Sequence, residues 1–165
     1  KLFNITEGSM FHELTDRFTN FVCDKNFDQF AQLFVEDGVY HDYIYGSFKG
    51  RNKLILMLKD YFYRDARDFY WEMYDHVYQE NIGYAKYRFS FKSKIPAYFN
   101  KKVVISGISF FRLKYGLITE YNEVVNGGIA MVQLGVNPKT MEKAFLKWFK
   151  RSLEEDPMLE HINSK

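Results

Sequence analysis

The hydrophobic pattern of this chain changes period once, and that change limits the folds open to it. Up to about residue 63 the apolar side chains recur at helical spacing, and from Phe69 to Val125 they recur at every second residue. Helical spacing lays apolar groups along one stripe, whereas alternation lays them on one face of a strand. The clearest stretch is Ala85, Tyr87, Phe89 and Phe91 alternating with Lys86, Arg88, Ser90 and Lys92. It reads as a strand with one buried and one wet face. Helices grouped ahead of a run of strands predict an α+β layout.

Within the helical part, Ser9 is placed to cap a first helix carrying Phe11, Leu14, Phe18, Phe21 and Val22. Asn26 caps a second, with Phe27, Phe30, Leu33 and Phe34, which Glu36, Asp37 and Gly38 close, the glycine in a left-handed position. Residues 39–43 predict a short strand, and a third helix follows Gly46 and Gly50 over residues 51–63. In the alternating part Phe69, Trp71, Met73 and Val77 share one side, His76 takes the other, and Asn81, Ile82 and Gly83 turn the chain. Residues 102–114 are apolar on both faces; Tyr115 and Gly116 turn into a strand over 117–125, and Gly127-Gly128 reads as a bend in it. Asn137-Pro138 opens a further helix with Met141, Phe145 and Trp148 on one face. The expected architecture is a single domain over 1–165 with its core at about 10–151 and a frayed tail at 154–165. A curved antiparallel sheet wraps around three N-terminal helices as a cone, with an additional C-terminal helix.

Aromatic residues make up 19% of the chain, with 17 Phe, 13 Tyr and 2 Trp. Buried tyrosine hydroxyls need partners, so this composition predicts a sheet face or cavity lined by rings with polar tips. No apolar run approaches the ~20 residues of a spanning helix, so no membrane partner is expected. A net charge of +2 is too small to argue for nucleic acid, and the basic residues at 139–151 read as the solvated face of a helix. Cys23 is the single cysteine, which leaves no disulfide framework or thiolate cluster and points to the cytoplasm. The chain begins at Lys1 rather than Met, which leaves room for a removed leader.

Three segments carry a resemblance to known proteins. Residues 33–42, Leu-Phe-Val-Glu-Asp-Gly-Val-Tyr-His-Asp, are similar to a helix-turn-strand segment ending in an acid. Gly50 precedes the third helix, and residues 116–123, Gly-Leu-Ile-Thr-Glu-Tyr-Asn-Glu, followed by Gln133, Leu134 and Gly135, are similar to a domain end. On these, over about residues 10–151, the chain resembles the nuclear transport factor 2-like superfamily, in its SnoaL-like polyketide cyclase and ketosteroid isomerase branch. That superfamily hosts isomerases, cyclases, dehydratases, epoxide hydrolases and non-catalytic binding modules, so the resemblance implies a pocket and not a reaction.

Asp42 falls, by resemblance, where ketosteroid isomerases carry the carboxylate that shuttles a proton. Its neighbours Tyr40, Tyr43 and Ile44 predict partial desolvation, which raises a carboxyl pKa toward the range of a general base. The other reading is a turn aspartate bonding nearby amides. Glu123 shares a pleat side with Tyr121, as Ser109 does with Ile105 and Phe111, and either faces a cavity with them or pairs with a base on a wet face. SnoaL-like domains often carry a Trp-Asp pair where this chain has Asn122-Glu123. If both acids face inward, their environments can split an acid from a base. The resemblance places Phe18 where ketosteroid isomerases have a tyrosine donor, and Ser109 where they have a protonated aspartate. Those substitutions argue against the steroid isomerase reaction itself, because oxyanion donors contribute ~3 kcal/mol each. Tyr40, Trp71, Tyr87, Ser109, Tyr121 and Phe18 are the expected binding residues around Asp42 and Glu123. The four histidines lack ligand spacing, and no metal or cofactor is expected. The sequence thus supports two functions. One is a cofactor-independent isomerase, cyclase or dehydratase acting on a small apolar or polyketide-like compound. The other is a non-catalytic module that binds a ligand or a protein. Under either, residues 102–114 predict a homodimer through the outer sheet face around Val104, Ile108 and Phe110.

Overall fold

Helix α1 (Leu2–Cys23) forms because Phe11, Leu14, Phe18 and Val22 share one stripe, and the computed structural model buries all four. The structure describes residues 2–155, 161 and 164, so the expected fraying of the tail falls largely outside the described residues. Ser9 lies inside α1 and is no cap. The residues before it are already helical, and an N-cap needs a backbone that has left helical angles.

Helix α2 (Phe27–Gln32) follows Asn26, whose side chain makes no capping bond, and it buries Phe30 and Ala31. Glu36, Asp37 and Gly38 do not close it; they lie in strand β1 (Phe34–Asp42), and Gly38 has no positive φ. Strand pairing starts as soon as the helix stops, with the Ile118 N–H donating to the Leu33 carbonyl at 2.8 Å. The Arg51 guanidinium also donates to the Phe34 carbonyl, through Nε at 3.0 Å and Nη2 at 2.7 Å. The three residues form an irregularity in β1, where its register with the neighbouring strand shifts between Phe34 and Val39.

After β2 (Gly46–Lys49), helix α3 (Arg51–Met57) runs into a π-helical turn (Leu58–Phe62) and the single turn α4 (Tyr63–Asp65). Strands β3 (Ala66–Gln79), β4 (Ile82–Ser93), β5 (Lys102–Lys114) and β6 (Leu117–Val125) complete a six-stranded sheet in the order β2-β1-β6-β5-β4-β3. Neighbours are antiparallel except β1 and β6, which run parallel. The β3–β4 and β5–β6 hairpins each turn on two residues with positive φ, Glu80-Asn81 at 50° and 66° and Tyr115-Gly116 at 52° and 76°. That geometry matches the right-handed twist of paired strands.

Val77 does not share a side with Trp71 and Met73. The pairing of β3 shifts between Tyr74 and Val77, at Asp75 with φ 53°, and one extra residue inverts the alternation. Val77 is therefore 63% exposed, while His76 turns toward α1, with Nε2 2.8 Å from Thr15 Oγ1 and its ring stacked on His12. Gly127-Gly128 is not a bend in β6 but the start of helix α5 (Gly127–Leu134), because the Asn126 side chain accepts the Gly128 N–H at 3.1 Å as a cap. Helix α6 (Pro138–Glu155) follows. One buried apolar cluster runs from Phe11 to Val125, between the concave sheet face and helices α1 to α3. Among the described residues no helix is long and apolar enough to cross a membrane.

Candidate active site

The two carboxylates named from the sequence meet because β1 and β6 are parallel neighbours. Tyr40 pairs with Tyr121, and two residues further along each strand Asp42 and Glu123 lie on the same concave face. Asp42 is 8% exposed, and its Oδ1 accepts the N–H groups of Ile44 at 2.9 Å and Tyr45 at 2.7 Å. Glu123 Oε2 accepts the Tyr87 hydroxyl at 2.9 Å and the Tyr121 hydroxyl at 3.4 Å, while Oε1 has only a 3.5 Å contact with the Tyr43 N–H. Ser109 Oγ lies 2.9 Å from the Tyr121 hydroxyl, so a serine–tyrosine chain ends on Glu123.

Tyr87 stands on β4, two strands from Glu123, and reaches it across Gly107 of β5. A β-carbon at Gly107 would fall 2.5 Å from the tyrosine ring and 2.6 Å from the Val124 carbonyl. The glycine is what lets the phenol cross the intervening strand.

Burial pushes both acids up. Asp42 rises to about 6, with desolvation outweighing the amides of Tyr45 and Ile44 and the positive charge of Arg151, which pull it down. Glu123 rises further, to about 8, from burial first and the Asp42 charge second, against the hydrogen bonds from Tyr87, Tyr43 and Tyr121. Burial and then the Glu123 charge also raise the hydroxyls of Tyr87 and Tyr121, which stay protonated as donors. The turn and desolvation readings of Asp42 are therefore both present, and desolvation wins.

Asp42, Glu123 and Tyr87 line one end of a cavity of about 310 Å³. Its apolar walls are Phe69, Trp71, Phe89, Phe91 and Ile105; Tyr45 and Asp65 add a second polar place. Of the residues expected from the sequence, Tyr40, Asp42, Trp71, Tyr87 and Glu123 reach the cavity wall. Phe18, Ser109 and Tyr121 have no exposed surface and stand behind it. Phe18 of α1 packs on Phe30, Phe34, Tyr40, Phe111 and Tyr121 and fills that half of the concave face. Pleat parity gave Ser109 and Tyr121 a shared side but not their depth. The Trp71 indole N–H is buried without a hydrogen-bond partner among the described residues, and its ring meets Phe18, Tyr87 and Phe89 edge-on.

Two parts of the site escape the sequence reading. The Tyr45 hydroxyl donates to Asp65 Oδ2 at 2.8 Å, and Arg64 grips both oxygens of that carboxylate at 2.7 Å, which holds it below its usual range. The π-helical turn presents Phe62 to the cavity just ahead of this group. The roof comes from α5 and α6, through Ala130, Met131, Leu134, Thr140, Ala144 and Trp148. Thr140, Ala144 and Trp148, spaced four apart, are the signal that could have found it. A β-carbon at Gly127 would lie 2.8 Å from the Trp148 ring, so the glycine admits that indole. Trp148 in turn meets Tyr43 edge-on at 5.1 Å, and Arg151 donates to the carbonyls of Ile44, at 3.0 Å, and Tyr43. Helix α6 thereby clamps the turn that carries Asp42.

The family model described as SnoaL-like domain matches residues 15–121. No curated protein matches the chain significantly in sequence. Among solved structures, a protein with a ketosteroid isomerase-like fold from Catenulispora acidiphila, in complex with trimethylamine, superposes with a TM-score of 0.68 at 14% identity, over 76% of this chain and 94% of its own. An LEH-like epoxide hydrolase of M. tuberculosis gives 0.64 at 13%, over 78% and 91%. A candidate polyketide cyclase from Xanthomonas campestris gives 0.63 at 16%, over 77% and 98%. At such identities the likeness establishes the ketosteroid isomerase-like fold alone.

Proposed function

The chain belongs to the SnoaL-like domain family, and on that premise we propose that it is a cofactor-independent enzyme moving a proton on a small, oxygen-bearing, largely apolar molecule. One observation carries this: two buried carboxyls side by side at a cavity wall, with environments that push their pKa values apart. Burial raises both carboxyls and the Asp42 charge raises Glu123 further, so the pair favours one ionised and one protonated partner, a base beside an acid. Asp42 takes the proton and Glu123, steadied by Tyr87, returns one elsewhere on the substrate, which serves isomerisation, cyclisation or dehydration alike. The rival, a non-catalytic binding module, draws support from the two amides that occupy Asp42 Oδ1.

Carbon-13 NMR titration of the carboxyl groups separates the two readings without a known substrate. Both acids should titrate above the ordinary range, Glu123 last, and Asp42→Asn should lower the Glu123 value by removing its charged neighbour. On any substrate found, Asp42→Asn should cut turnover ~10²-fold or more with folding intact. An Asp42 that titrates at or below the usual 3.8 would leave the binding module ahead.

We further infer that a second copy of the chain covers the outer sheet face. Val104, Ile108 and Val124 stand 41%, 48% and 73% exposed there, with Phe110 half-buried between them. Apolar groups gathered on one face mark an association surface. Light scattering at micromolar concentration should give a dimer mass, and Ile108→Glu should shift it to the monomer. A monomer mass for the unaltered chain would refute the inference.

A further inference from the structure

The charge of the cavity is one-sided. Asp42, Asp65 and Glu123 line it, and among the described residues no lysine, arginine or histidine does. Two of the acids are answered from outside the wall: Arg64 binds Asp65 through both oxygens, and the charge of Arg151 acts on Asp42. Glu123 is faced by Asp42 from β1, by Tyr87 from β4, by Tyr121 on its own strand and by the Tyr43 N–H. None of these is a cation, and Glu123 makes no ion pair among the described residues. Its two phenol donors both sit on Oε2, which leaves Oε1 short of a close partner. Beside it stand the rings of Tyr87 and, 5.9 Å from that ring, Trp71, and further along the cavity the wall stays aromatic with Phe89, Phe91, Phe69 and Tyr98. Ring faces are negative and attract cations, most strongly where water is excluded.

We propose that the cavity's ligand is a small organic cation, an aliphatic ammonium whose charge sits against Glu123 and whose alkyl groups lie on the rings. This rests on the reading of the cavity as a ligand site and changes one role in it: against a cation Glu123 is ionised and binds the charge, so Asp42 alone takes and returns the proton of such a ligand. The volume of about 310 Å³ is at the low end for ligand pockets, which suits a compact ammonium better than a fused-ring skeleton. A bound cation favours ionised carboxylates, so binding releases the proton that burial keeps on Glu123 and tightens as pH rises toward the Glu123 value.

Choline and 3,3-dimethylbutan-1-ol test the proposal, because they share shape and hydroxyl and differ by one positive charge. Titration calorimetry at about pH 7.5 should show choline bound about tenfold more tightly. The preference should grow between about pH 6 and pH 8.5 and shrink in Glu123→Gln, while the affinity of the alcohol stays flat. The comparison of the two compounds on the unaltered chain stands even if the variant does not fold. Equal binding, or tighter binding of the alcohol, overturns the cation and leaves the cavity reading in place. Failure of both compounds to bind overturns the proposal and the ligand site with it.

Discussion

In one half of the concave sheet face Phe11, Phe18, Phe111 and Tyr121 close on one another, with ring centroids 4.8 to 5.4 Å apart and almost no exposed surface. In the other half Phe69, Phe89 and Phe91 repeat the same alternation on neighbouring strands, yet they face a cavity. The residue types are alike; what differs is the cover. Helix α1 lays its apolar stripe into the first half, whereas α5 and α6 roof the second with Ala130, Met131, Leu134, Thr140, Ala144 and the Trp148 indole. Close packing stabilises the first half, and its absence leaves room for a ligand in the second. The carboxyl pair lies where the halves meet, with Tyr40 and Tyr121 on the packed side and Tyr87 on the open one.

The comparison breaks most readily at Phe18. Phe18→Ala removes a ring packed on six others and should cost about 4 kcal/mol in urea unfolding. A loss below about 1.5 kcal/mol would mean that the packed half is not packed. Next in size is the pH response of the boundary between the halves. Burial raises the Glu123 and Asp42 pKa values above their unfolded ones, so the folded chain keeps protons that the unfolded chain has lost. Their stabilising contribution is complete below about pH 4 and is lost as pH rises through about 6 for Asp42 and about 8 for Glu123. Stability should therefore fall from about pH 5 to pH 8.5, and Glu123→Gln should flatten the upper part of that slope by roughly 2 kcal/mol. An unchanged slope in the variant would remove Glu123 as its source. The smallest effect belongs to the open half. Phe91→Ala, at a ring that already borders empty space, should cost about 1 kcal/mol, within the ordinary range for single substitutions. A cost equal to that of Phe18→Ala would erase the distinction between the halves.

Much of the frame was legible because alternation and turn chemistry are local. The bounds of β5 and β6, the hairpin at Tyr115-Gly116 and the helix from Pro138 all follow from residues within a few positions. Which residues of β4, β5 and β6 share a side was legible too, since pleat parity holds along an unbroken strand, but that this side is the concave one and that Asp42 joins Glu123 on it came from the pairing of β1 with β6. Parity failed at Val77, where one bulged residue inverts every side chain beyond it. The π-helical turn and the Tyr45–Asp65–Arg64 group were not legible, because their partners lie 20 residues apart and no period links them.

The sequence by itself determined an α+β chain and which residues share a side of each strand, because side-chain parity depends only on the strand's own residues. Tertiary structure decided how deep each residue lies, which half of the sheet stays hollow and how the acids titrate. Depth depends on what covers a face, and the cover comes from the far ends of the chain. Phe18 seals one half from α1, while Trp148 and Arg151 of α6 close on the turn of Asp42 from more than 100 residues away. Desolvation follows depth, so the pKa values that make the pair chemically useful are properties of that packing and not of the residues that carry them.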